Sequence, residues 1–173
     1  MKVSLKSLHL LAIGMIAFSI NTAAQSEFSK SSISIGMVVE DLEQSLRFYQ
    51  EVVGMVKVRT FKVESDKAVR MGLSIGEAFD ITVLKLENSE EAAELKLMTF
   101  KKNTPHKNEQ FIPDANGIRY LTIFVKSMSP LLKRIEQSGV KTLGKTPTML
   151  DETRQFVLIQ DPDGNFVEFI GPG

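Results

Sequence analysis

Two histidines, His9 and His106, are the side chains in this 173-residue sequence that ordinarily titrate near neutral pH, and there is no cysteine. The missing cysteine removes thiol nucleophiles, thiolate metal sites, iron–sulfur clusters and disulfides together. His106 could act as a metal ligand or general base, but its neighbours Pro105 and Lys107 and its polar flanks read as an exposed linker. Lysine and arginine number 21 against 21 acidic residues, so nothing resembles the clustered positive charge that a nucleic-acid backbone requires. Glu87, Glu90, Glu91 and Glu94 form an acidic run that reads as a solvated edge around a turn. Asp161-Pro162-Asp163-Gly164 is a turn by residue type, with no catalytic role asked of its acids. Met37, Met55, Met71 and Met98, with Phe48, Phe100, Phe124 and Phe166, could line a pliable pocket but read first as core.

The elements that would position such residues begin after a targeting segment. Lys2 and Lys6 lead into an apolar run from Leu8 to Ile20, followed by Asn21-Thr22-Ala23-Ala24. A basic start, a short apolar middle and small residues at a boundary are the parts of a secretory signal peptide. The 13-residue run would reach about 20 Å as a helix, short of a ~30 Å hydrocarbon core. Residues 1–24 are therefore expected to be removed, and 25–173 to form one exported domain. Removing Lys2 and Lys6 leaves 19 basic and 21 acidic side chains. A chain of that size can bury enough surface to fold without disulfides. Their absence favours a bacterial periplasm over a eukaryotic secretory route.

Within the domain the pattern occurs twice. Ser34–Val39 is strand-like; Asp41 then caps a helix with Gln44 three residues on, and Leu42, Leu46, Tyr49 and Val53 mark one apolar face. Gly54 ends it. Strand-like runs follow at Val56–Val63, Ile81–Leu86 and Leu95–Phe100, with a short helix over Asp66–Leu73. The second round starts at Ile118–Val125, with Ser127 in the place of Asp41, a helix through Leu131, Leu132 and Ile135, and Gly139 as its stop. Val140–Leu143, Gln155–Gln160 and Asn165–Ile170 supply its remaining strands. The fold class is thus α+β: two βαβββ modules, 32–101 and 116–172, joined by a polar linker over 102–115.

Two stretches carry a family resemblance: Val38 to Tyr49 followed by Gly54-Met55, and Asp161-Pro162-Asp163-Gly164-Asn165-Phe166-Val167-Glu168-Phe169. At this separation they resemble the vicinal oxygen chelate superfamily, which includes glyoxalase I, bleomycin-resistance proteins, extradiol dioxygenases and methylmalonyl-CoA epimerase. The resemblance implies that the two modules curl a mixed sheet into a cup. Enzymes of the superfamily hold a divalent metal there, with His, Gln or Glu from the first and last strand of each module. Carried onto this chain, those positions are Ser34, Lys96, Tyr120 and Glu168, and only Glu168 is an ordinary ligand. Serine is a weak neutral donor, tyrosine ionises only near pH ~10, and a lysine brings positive charge where a cation would sit. A shift of two residues along the strand would instead present Glu94, which with Glu168 and waters could hold a metal weakly.

The expected reading is an exported protein that binds a small organic molecule through Ser34, Lys96, Tyr120 and Glu168 without a metal cofactor. The alternative is an isomerase or lyase of the glyoxalase or epimerase type. In it Glu168 is the general base and Lys96 or Tyr120 stabilises an enolate. A third reading is a dimerisation module with no ligand. The resemblance leaves open whether the cup closes within one chain or across a homodimer.

Overall fold

The computed structural model describes residues 27–102 and 109–173. The expected signal segment and His106 lie outside the described residues. Among the described residues no helix is long and apolar enough to cross a membrane.

The first half runs β1 (Ser34–Val38), α1 (Leu42–Arg47), β2 (Val56–Val63), α2 (Ser65–Arg70), β3 (Phe79–Lys85) and β4 (Glu94–Met98). The second runs β5 (Tyr120–Phe124), α3 (Met128–Ser138), β6 (Thr148–Met149), β7 (Arg154–Gln160) and β8 (Phe166–Pro172). Each half forms one four-stranded mixed sheet, ordered β1-β4-β3-β2 and β5-β8-β7-β6. The first strand of each pairs in parallel with the last, so β1 lies beside β4 and β5 beside β8. The repeat seen in the sequence is therefore a repeat of topology. Among the described residues no ladder joins the two sheets.

Strand alternation sorts the side chains into two faces. On the convex face Val39, Leu84, Leu95 and Leu97 of the first sheet meet Ile123, Val157, Val167 and Phe169 of the second, with Leu46, Tyr49, Leu131 and Ile135 from the helices between them. A second cluster, Val63, Phe79, Ile81 and Val83, lies on the concave face of the first sheet, where Ala68 of α2 covers it.

Asp41 accepts from the Gln44 amide at 2.9 Å and starts α1 as expected. From Phe48 to Val53 the chain then winds as a π-helix, closed by bonds from the amides of Gly54 and Met55 to the Tyr49 carbonyl. This winding buries Phe48, Tyr49, Val52 and Val53 at once. Gly54 ends it at φ 93°, a conformation that favours glycine. Ser127 holds the matching position before α3 but makes no side-chain cap bond.

One expected strand is absent. Val140–Leu143 makes a single ladder-like bond, from the Leu143 amide to the Leu158 carbonyl, and the partner of β7 is the short β6. The Thr142 and Thr146 hydroxyls bond to the carbonyls of Thr146 and Leu143 and turn the segment away from the sheet.

The turn between β7 and β8 ties the halves together. The Glu40 amide and the Ser45 hydroxyl donate to Asp163, and the Tyr49 hydroxyl donates to Asp161 at 2.7 Å. Arg134 of α3 donates to the carbonyls of Val52 and Val53, acceptors left open where the π-helix ends.

Candidate functional site

Ser34, Lys96, Tyr120 and Glu168 all lie on concave faces, and the pairing places them. In β1 and β4, Ser34 stands opposite Glu94 and Gly36 opposite Lys96; in β5 and β8, Tyr120 stands opposite Phe166 and Thr122 opposite Glu168. Lys96 and Glu168 therefore occupy the same rung of their respective sheets. Glu94, one rung away, faces the cup as well, because two residues along a strand share a face. Both acids and the lysine thus face the cup.

Each half engages its own carboxylate. In the first, Glu94 accepts from Arg59 at 2.7 Å and from Ser34 at 3.3 Å, with Lys96 Nζ at 3.4 Å and Lys85 Nζ at 4.0 Å. Lys85 is only 7% exposed and also donates to the Ser89 carbonyl at 2.6 Å. Burial pushes the Glu94 carboxyl up, but Arg59 and then Lys96 outweigh it and hold the group below the ordinary carboxylate range. Glu94 is thus a half-buried ion-pair centre, whereas Glu87, Glu90 and Glu91 stay exposed as expected. In the second half, Glu168 accepts from Thr122. Its neighbours on that wall are Leu158 across the ladder and Phe156 opposite Ile170. Contrary to the expectation of core positions, Phe124 is exposed on the same wall and Met71 is exposed at the end of α2.

The walls meet along a cleft of about 170 Å³ lined by Ile35, Gly36 and Met37 of β1 and by Tyr120 and Leu121 of β5, with Asn165 and Phe166. The first strands of the two halves thus flank one opening within a single chain. At one end of the second wall Gln160 holds the linker through the Glu109 carbonyl, and Arg119 pairs with Glu109.

These donors do not fit a divalent cation. Lys96 presents an ammonium on the rung that mirrors Glu168, and the Ser34 and Glu94 oxygens are committed to each other and to Arg59. Among the described residues no three His, Cys, Asp or Glu gather closely enough to hold an ion.

Comparison with known proteins agrees with this architecture. Residues 32–169 match the family model of the Glyoxalase/Bleomycin resistance protein/Dioxygenase superfamily. The chain belongs to that superfamily. It is 24% identical over 132 residues to a lactoylglutathione lyase of Neisseria meningitidis, a match covering 76% of this chain and 83% of the relative. A glyoxalase family protein from Bacillus cereus has the same fold, with a TM-score of 0.69 at 16% identity, over 86% of this chain and 97% of that one. Leishmania major glyoxalase I aligns with a TM-score of 0.55 at 20% identity, covering 83% and 87% of the two chains. TnmS3, an antibiotic binding protein from a Streptomyces species, aligns at 0.54 with 17% identity, covering 84% and 99%.

Within this superfamily member, sequence reasoning missed Arg59 and Lys85. The signal for Lys85 was its charge inside a strand-like run, directly across the ladder from Glu94. For Arg59 the deciding feature is a β-bulge, which leaves no mark in the residue types.

Proposed function

We propose that this superfamily member binds a small organic molecule in its cup without a metal. The observation that carries the reading is Lys96, a cation on the rung where Glu168 of the other half offers an oxygen. Ser34, Lys96, Tyr120 and Glu168 form the polar contacts, and Tyr120 and Phe124 offer apolar surface. The basic start and short apolar run of residues 1–24 support export of the remaining chain to the periplasm or beyond. The test is elemental mass spectrometry after incubation with Zn²⁺, Mn²⁺, Ni²⁺ and Fe²⁺, with Glu168→Gln as control. The expected result is no retained metal in either protein. Near-stoichiometric metal that disappears in the variant overturns the reading.

A second reading rests on the likeness to lactoylglutathione lyase. In it Glu168 takes the substrate proton, and Lys96 or Tyr120 steadies the developing enolate oxygen. Lactoylglutathione turnover that is lost in Glu168→Gln supports it, and no turnover in either protein rejects it.

A further inference from the structure

The first wall carries more positive charge than its own acid neutralises. Arg59, Lys85 and Lys96 surround Glu94, so three cations share one carboxylate. They are not equally committed. Lys85 is buried and also bonded to the Ser89 carbonyl, and Arg59 makes its close contact with Glu94. Lys96 has the longer approach, 3.4 Å, and its side chain is 29% exposed toward the cup. A partly desolvated excess of cations is favourable only when an anion completes it. Beside Lys96 the floor is low: its partner across the ladder is Gly36, which has no side chain, lines the cleft shared with Tyr120, and has the Met98 methyl 3.4 Å from where a Cβ would stand. On the second wall the exposed rings are Tyr120, at 46% and part of the cleft lining, and Phe124, at 70%.

We propose that the ligand is an organic anion with an apolar, ring-sized body. Its carboxylate, sulfonate or phosphate group joins Lys96 and Arg59, and its body crosses Gly36 to lie against Tyr120 and Phe124. The anionic group completes the charge balance that Glu94 leaves open, and the rings of the second wall cover the apolar body, while Glu168 on that wall keeps its bond from Thr122. This assignment rests on the cup being a binding site, and it names what the cup selects.

Two fluorescent probes of nearly equal shape separate the two ideas. 1-Anilinonaphthalene-8-sulfonate carries the anion, and N-phenyl-1-naphthylamine lacks it; each is titrated into the folded protein at low and high salt. The expected result is a preference for the sulfonate of roughly tenfold or more at low salt, falling as salt rises. Lys96→Met should bring the ratio of the two affinities toward one, and Glu94→Gln should raise it. Arg59→Gln serves as the second variant should Lys96→Met lose its cooperative melt, and it should lower the ratio in the same direction. Equal binding of both probes, or a preference indifferent to Lys96 and Arg59, overturns the anion assignment and leaves the cup as a binding site. Binding of neither probe overturns both.

Discussion

Ser34 meets Glu94 across one rung of the first sheet, and Thr122 meets Glu168 across one rung of the second, yet the two acids live differently. Glu94 sits among Arg59, Lys85 and Lys96. Glu168 sits among Thr122, Leu158 and the rings of its wall. The halves share strand order, a parallel pair of first and last strands and a glycine-ended helix, so topology does not dictate what a wall presents. The turns that close the two sheets differ just as much. Module one's turn after β3 is largely solvated. The turn before β8 buries Asp161, which accepts from Tyr49, from the Asn165 side chain and from the amides of Asp163 and Asn165. The first half brings the excess of cations to the cup; the second brings the exposed rings of Tyr120 and Phe124 and the lock between halves.

The largest test of this contrast lies in the turns. Asp161→Ala leaves the buried Tyr49 hydroxyl only the weak Met37 sulfur acceptor at 3.5 Å and should cost about 3 kcal/mol, whereas Glu90→Ala in the opposite turn should stay within about 0.5 kcal/mol. Urea denaturation midpoints would show both, and equal effects would erase the contrast. The walls come next. Glu94→Leu leaves Lys85 buried without its carboxylate and should cost about 2 kcal/mol, a figure discounted because Arg59 is half exposed. Glu168→Leu loses a bond from one hydroxyl and should cost about 1 kcal/mol or less.

A smaller effect appears with pH. Because the folded Glu94 carboxyl is held below the ordinary range, its contribution is present above that range and is lost as pH falls through the folded value. Asp161 has the opposite sign: burial raises its carboxyl, so its contribution declines as pH rises past the ordinary aspartate value. Glu94→Gln should therefore flatten the acid-side loss of stability while leaving the Asp161 trend in place, as thermal melts across an acid pH series would record. The smallest change in stability is expected at Phe124→Ser, within about 0.5 kcal/mol, since the ring is exposed. That variant should still weaken the naphthylamine probe by about threefold, given the area such a ring offers.

The frame of the molecule was readable because it is written in local chemistry. The cap at Asp41, the stops at Gly54 and Gly139 and the turn from Asp161 to Gly164 each need particular residues. The concave positions followed from alternation once the strands were set, and Lys96 and Glu168 both fall on concave faces. The charged wall was harder to read. Strict alternation would put Lys57 and Arg59 on one face. The bulge between them moves Arg59 opposite Val83, on the side of Lys96, and leaves Lys57 opposite Leu84. Glu94 reads both as part of a solvated acidic run and, by strand alternation, as a cup residue; of that run only its last member enters a strand, which decides for the cup. The strand expected at Val140–Leu143 is replaced by a turn in which the Thr146 hydroxyl takes the Leu143 carbonyl and the Thr142 hydroxyl reaches the Thr146 carbonyl, a contest that residue types leave undecided.

The bond from the Glu40 amide to Asp163 joins residues 123 positions apart. While the chain is being made, the entry to the first helix waits for a partner until nearly the whole second half has emerged, and the Tyr49 hydroxyl waits with it. Pairing of such remote segments is slow, because the intervening loop must close before any contact rewards it. The first half on its own would be a sheet with an unfinished helix start and a bare apolar back. Folding is thereby deferred to a late, joint step, in which the second half acts on the first much as a template acts on its product.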